Sequence, residues 1–128
     1  MGGVLIMEFL DQYVINEDDR GSFKGIVNKY GWGEINIIRT VSGVTRGNHY
    51  HRFTKELFFI LEGRIHVVIR NIVTNEEWDF VATSNRAFIV DPYELHRFDT
   101  LEDSVWLNML SHRLDKDQPD FVKVSYEG

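Results

Sequence analysis

Cysteine is absent from this chain of 128 residues, which excludes disulfides and thiolate ligands together. Any metal must therefore be held by nitrogen and oxygen. An excess of positive charge is missing as well. The 14 Lys and Arg stand against 20 Asp and Glu, for a formal charge of −6. That balance argues against a nucleic-acid surface or a polybasic membrane patch. No apolar run is long enough to cross a bilayer. The opening MGGVLIM is short, and lacks the basic segment and small-residue cleavage site of a secretory signal as well as the Ser or Thr of a myristoylation site. A cytoplasmic protein is expected, with Met7 as a candidate natural start. Linkers, repeats and low-complexity segments are also lacking, and no apolar stripe of helical period is long enough to mark a helix.

What is present suits one all-β domain over residues 1–128, with residues 1–20 as an N-terminal arm. Hydrophobic residues make up 43% and aromatics 13%, enough for a core. Turn signals recur at short intervals and separate runs rich in Val, Ile, Phe, Trp and Tyr. Strands are predicted over 22–28, 34–41, 47–51, 56–61, 64–70, 77–82, 87–90, 96–99, 105–111 and 121–125. Many short strands at this spacing imply a sandwich or barrel. In ELFFIL, Glu56, Phe58 and Ile60 share one face while Leu57, Phe59 and Leu61 share the other. Both faces are apolar, so the outer one needs a cover, either another element or a second subunit. A homodimer is expected.

The chemistry concentrates in GVTRGNHYHRFTKELFFILEG, residues 43–63. Residues i and i+2 of a strand point to the same face, so His49 and His51 can both look into a barrel while Tyr50 looks out. Glu56 returns on the next strand with a carboxylate, and His96 comes from a distant one. Three imidazoles and one carboxylate suit a divalent first-row metal and leave positions open for solvent or substrate. The same residues also permit acid and base roles without a metal. His66 and His112 read as structural or surface residues. Trp32, Trp78 and Trp106 read as core or dimer contacts, and the charged turn 115–120 is assigned no chemistry.

The run 43–63 reads G-x5-H-x-H-x4-E-x6-G and resembles the first motif of the cupins, jelly-roll barrels. The second cupin motif is degraded here: Asn85, Asp91, Tyr93 and Thr100 stand where its glycine, proline, second glycine and asparagine belong, and His96 keeps the one position with chemistry. DDRGSF (18–23) and GVTRGNHY (43–50) resemble segments of the nucleotide-sugar 3,5-epimerases, which implies Arg20 and Arg46 on phosphate and His49 as the base. The chain is similar over nearly its whole length to the C-terminal cupin domain of capsular polysaccharide assembling proteins, through RGSF (20–23), the GNH-x-H core, Pro92 with His96, and DKDQPD (115–120).

That resemblance implies zinc as the first choice of metal, with iron, manganese or nickel as others. It further implies a nucleotide-linked keto sugar as partner and epimerisation or isomerisation as the reaction. No G-x-G-x-x-G segment and no room for a reductase are found, so the chain would be the cupin part alone. His49 is a ligand in one related family and a base in the other; if it is a ligand, the proton falls to metal-bound water or to Tyr93. A carbohydrate-binding cupin without turnover and a non-haem iron dioxygenase are the rival readings. Whether Asn36, Arg39, Arg70 and Asn108 line the cavity stays open at this level.

Overall fold

The computed structural model describes residues 7–124, and all of its regular structure is β. Twelve strands run in order: β1 Glu8–Leu10, β2 Tyr13–Asp18, β3 Gly21–Gly25, β4 Glu34–Thr40, β5 Thr45–His51, β6 Glu56–Glu62, β7 Arg64–Asn71, β8 Glu77–Thr83, β9 Ala87–Val90, β10 Glu94–Thr100, β11 Ser104–Leu110 and β12 Phe121–Lys123. They form two five-stranded antiparallel sheets, β1-β9-β6-β11-β4 and β12-β5-β10-β7-β8, with β2 and β3 as a separate hairpin. This is the expected cupin-type jelly roll. The opening hexapeptide and Ser125, the last residue of the predicted final strand, lie outside the described residues.

The alternation of each strand decides what lies between the sheets. Phe58 and Ile60 from β6, Ile65, Val67 and Ile69 from β7, Phe88 and Val90 from β9, Phe98 from β10 and Trp106 from β11 form the inner core. Phe58 sits at its centre, with ring centroids of Phe98, Phe88 and Trp106 at 4.8, 5.5 and 5.5 Å. Each such side chain contributes about 1.5–3 kcal/mol when fully buried. The other face of β6 joins Leu57 and Phe59 to Ala87, Ile89 and Met109. Leu10, Ile26, Val27 and Trp32 pack over this second cluster. The cover that ELFFIL required thus includes an element of the same chain, the segment leading from β3 to β4. Strands β1 and β2 are not anticipated by the sequence reading; β1 extends the first sheet by pairing Glu8 with Ile89.

One irregularity aims the site. Strand β5 pairs with β10 through His49↔His96 and Arg46↔Phe98, with a register shift between. Gly47 and Asn48 carry positive φ, 97° and 60°, and form the extra residue of a bulge. In a regular strand residues 46 and 49 would face opposite ways. The bulge turns both inward, so RGNH is a backbone instruction as well as a set of side chains. A Cβ on Gly47 would lie 2.5 Å from the His96 carbonyl oxygen. Asn85 and Tyr93, which replace the two glycines of the second motif, keep the left-handed backbone with φ of 72° and 66°. The conformation persists where the glycine does not. Asn tolerates it, whereas a tyrosine there costs roughly 1–2 kcal/mol.

Opposite outcomes are therefore expected for two substitutions compared by thermal unfolding. Gly47→Ala meets both a clash and a strained φ and should destabilise by about 2 kcal/mol or more. Tyr93→Gly should stabilise by about 1 kcal/mol. An unchanged midpoint for Gly47→Ala would show that the bulge is dispensable.

Candidate active site

Between the sheets lies a cavity of about 250 Å³ whose polar lining is Glu34, Asn36, Arg46, His49, His51, Glu56, His96 and Asn108, over a floor that includes Ile38, Phe58, Phe98 and Trp106. Strand alternation brings His49 and His51 to it from β5. Glu56 opens β6 after a four-residue turn. The β5–β10 pairing sets His96 directly opposite His49.

The hydrogen bonds of the rings fix their orientation. His51 Nδ1 lies 2.8 Å from Asp120 Oδ1, and His96 Nδ1 lies 3.0 Å from the Glu94 carbonyl. His49 is tied to the Gly47 backbone. With the Nδ1–H of His51 and His96 donated outward, their Nε2 lone pairs are left for the centre. There His96 Nε2 lies 3.2 Å from His49 Nε2, and Glu56 Oε1 lies 3.0 Å from His51 Nε2 and 3.3 Å from His96 Nε2. Despite these distances Glu56 Oε1 is a buried oxygen without a well-formed hydrogen bond. Bonds of about 2.1 Å to one ion separate cis octahedral ligands by about 3.0 Å and tetrahedral ones by about 3.4 Å. The observed edges fall in that range, and ligand atoms of His49, His51 and Glu56 all lie within 4.8 Å of one another. Two facing imidazole lone pairs and an orphaned carboxylate oxygen are what a divalent cation would satisfy. The residues fit a metal of the zinc, iron, manganese or nickel type.

Electrostatics agree with that fit at His49 and His96. Burial pushes the His49 imidazole down to about 4, with neighbouring His96 acting the same way. Burial also lowers His96. Both rings are neutral and ready to ligate near pH 7. Burial works against charge on His51, but Glu56 and Asp120 outweigh it and raise its pKa. Burial likewise opposes ionisation of Glu56, and His96 and His51 overcome it. Asp120 is held at about 2 against its own burial by His51 and the Phe53 amide.

Like Glu34 of the cavity lining, Asp120 is a residue of the site that sequence reasoning passed over. One of its oxygens meets His51 and the other accepts the backbone N–H groups of Phe53 and Thr54, at 3.1 and 3.0 Å. The signal was there, as the last residue of QPD in the segment shared with the capsular domains, but a charged turn near a chain end reads as solvated surface. Asn36 and Asn108 line the cavity; Arg39 and Arg70 are not among its lining residues. Asn108 Nδ2 donates to Glu56 Oε2 at 3.0 Å and Asn36 Nδ2 to Asn108 Oδ1 at 3.2 Å. Arg46 donates from Nε to Thr40 Oγ1 at 3.0 Å, which fixes the side chain and leaves its paired terminal N–H groups for an anion. Arg20 does not join them: it sits at the tip of the β2–β3 hairpin, 80% exposed, paired with Asp18 at 2.6 Å. Tyr93 is also outside the cavity lining. Its ring packs near Tyr50 at 5.9 Å, and its backbone N–H binds the His51 carbonyl at 2.8 Å. The four expected ligands and Arg46 are thus brought together, and Arg20 and Tyr93 are not.

Comparison with known proteins follows this geometry. The chain is 27% identical over 110 residues to a UDP-2-acetamido-2,6-beta-L-arabino-hexul-4-ose reductase of Pseudomonas aeruginosa, covering 83% of the chain and 30% of the reductase. Among solved structures it shares its fold with the capsular polysaccharide assembling protein CapF of Staphylococcus aureus, at a TM-score of 0.66 and 24% identity, covering 90% of this chain and 34% of that one. A 3,4-ketoisomerase of Thermoanaerobacterium thermosaccharolyticum, solved with TDP-4-keto-6-deoxyglucose, superposes at 0.73 with 17% identity over 91% of this chain and 86% of its own. The chain therefore spans about a third of the length of the reductase and of CapF. Its residues 16–122 match the family described as the polysaccharide biosynthesis C-terminal domain, and the chain belongs to that family.

Proposed function

We propose that this protein is a metal-dependent cupin that isomerises or epimerises a nucleotide-linked keto sugar for surface-polysaccharide synthesis in the cytoplasm. One observation carries the reading: ligand atoms of His49, His51 and Glu56 lie within 4.8 Å of one another, and His96 Nε2 lies 3.2 Å from His49 and 3.3 Å from Glu56, inside a cavity that Arg46 also lines. The cavity has room for a sugar ring, so the nucleotide would lie along its mouth, with the diphosphate on the planar fork of Arg46. Three neutral imidazoles and one carboxylate would leave a divalent ion, zinc first, at net charge +1. Such an ion supplies a Lewis acid toward a ketone oxygen, which lowers the cost of removing the neighbouring proton. Asp120 holds His51, Asn108 holds Glu56, and the apolar floor excludes water.

The reading includes a homodimer. Its support is the outer edge of β4, unpaired among the described residues, where Ile35 and Ile37 are exposed, and the separate β2–β3 hairpin, which exposes Val14, Ile15 and Phe23. A hairpin alone is marginal in water, and an open apolar edge invites pairing.

Three measurements check these statements. Elemental analysis should find about one metal per chain in the wild type, and little in His51→Ala. Asp120→Asn should bind the metal about 10–100-fold more weakly; equal metal content in His51→Ala would undo the coordination. Incubation of TDP- and UDP-linked keto sugars in deuterated water should introduce deuterium at the carbon beside the ketone, and no exchange with any of them would sink the enzymatic reading in favour of a binding protein. Light scattering should give a dimer that Phe23→Glu together with Ile37→Glu converts to monomer. A wild type that is monomeric at micromolar concentration would refute the dimer.

A further inference from the structure

If the three histidines and Glu56 hold a cation, the group that takes the proton from carbon must be sought elsewhere in the cavity. Its other polar lining residues are Glu34, Asn36, Arg46 and Asn108. The two amides do not accept a proton near neutral pH and the guanidinium does not release one. Tyr93, outside the lining, does not offer its hydroxyl there. Among the described side chains of the lining that leaves one carboxylate, and the test below separates it from metal-bound water.

Glu34 begins β4 and shares its inward face with Asn36 and Ile38. It lies opposite Leu110 of β11, which lies opposite Glu56 of β6. The two carboxylates thus stand at one level on the strands flanking β11, with backbones about 10 Å apart at roughly 4.8 Å per strand. Two amides bridge the gap. Asn36 Nδ2 donates to Glu34 Oε2 at 2.9 Å and contacts Asn108 Oδ1, and Asn108 in turn donates to Glu56. Glu34 Oε1 accepts the Leu114 backbone N–H at 3.2 Å. Each Glu34 oxygen therefore has one partner and keeps capacity to accept a proton. The carboxylate is half-buried, held from the strand on one side and from the 111–120 segment on the other.

We infer that Glu34 is the general base of this site. The inference rests on the keto-sugar reading above. The step balances within substrate and solvent. Glu34 takes the proton from the carbon beside the ketone, the C–H electron pair becomes the carbon–carbon double bond, and the ketone electrons move onto the ketone oxygen. Delivery of a proton to that same carbon from the other face as the ketone re-forms, with the Glu34 proton passing to solvent, gives the epimer. Return of the proton to the former ketone carbon, with the neighbouring hydroxyl proton passing in net to the ketone oxygen, moves the ketone by one position. Neither route consumes an oxidant or reductant.

The test compares wild type, E34Q and E34A with TDP-4-keto-6-deoxyglucose and UDP-linked 4-keto sugars in deuterated water, read by NMR, alongside metal content and thermal unfolding. Wild type should place deuterium on the carbon beside the ketone or, where the ketone moves, on the new carbinol carbon. E34Q, which keeps an acceptor for Leu114, should retain its metal and lose about 100-fold or more in exchange rate. E34A should lose as much, and formate, entering the space left by the side chain, should restore about tenfold, a rescue that a purely structural role would not show. Exchange by E34Q at the wild-type rate overturns the assignment of Glu34 while leaving the keto-sugar reading intact. A wild type inert toward every sugar overturns the keto-sugar reading, and this inference with it.

Discussion

A fully buried carboxylate in an apolar barrel is the constraint around which this molecule is arranged. Glu56 sits at the start of β6, the strand whose next inward residues are Phe58 and Ile60 at the heart of the core. Isolating such a charge costs several kcal/mol unless it is met by positive charge or hydrogen bonds. One oxygen is met by Asn108. The other faces His51 and His96 without a sound hydrogen bond. The imidazoles around it, the outward Nδ1 ties of His51 and His96 and the Asp120 contact all serve that second oxygen. Stability and chemistry share this requirement, since the arrangement that makes the charge tolerable also makes a cation welcome.

Much of this was legible in the sequence because strands encode their faces with a period of two. His49 and His51 could be placed on one side, Glu56 with Phe58 and Ile60 on one side, and ELFFIL recognised as buried on both. The failures share a physical origin. Asn36 and Asn108 sit on regular strands, but nothing local says which face of an isolated strand is the inner one. Strand β1 has three residues and takes its identity from pairing with β9, a long-range contact that leaves no local pattern. Asp120 looked like a solvated turn because its partners are 66 to 69 residues away.

The bulge in β5 shows a subtler kind of information. Arg46 and His49 were grouped by resemblance, yet regular strand parity would have separated them. Gly47 and Asn48 resolve this by spending one extra residue, and the price is a backbone that only glycine and asparagine accept readily. Where the second motif lost its glycines, Asn85 and Tyr93 took over the same left-handed turns. The motif is better described as a series of dihedral angles than as a string of residue types. Read that way, the second motif is less degraded than its letters imply.

Asp120 follows every polar residue of the cavity lining in the chain. The pairing of strands β4 to β11 does not use it, whereas its bonds to His51, Phe53 and Thr54 close loops of 66 to 69 residues. Local opening of the 111–120 segment would therefore free the His51 ring while the sheets stay paired. The cavity can be loosened from one end of the chain without unfolding the barrel.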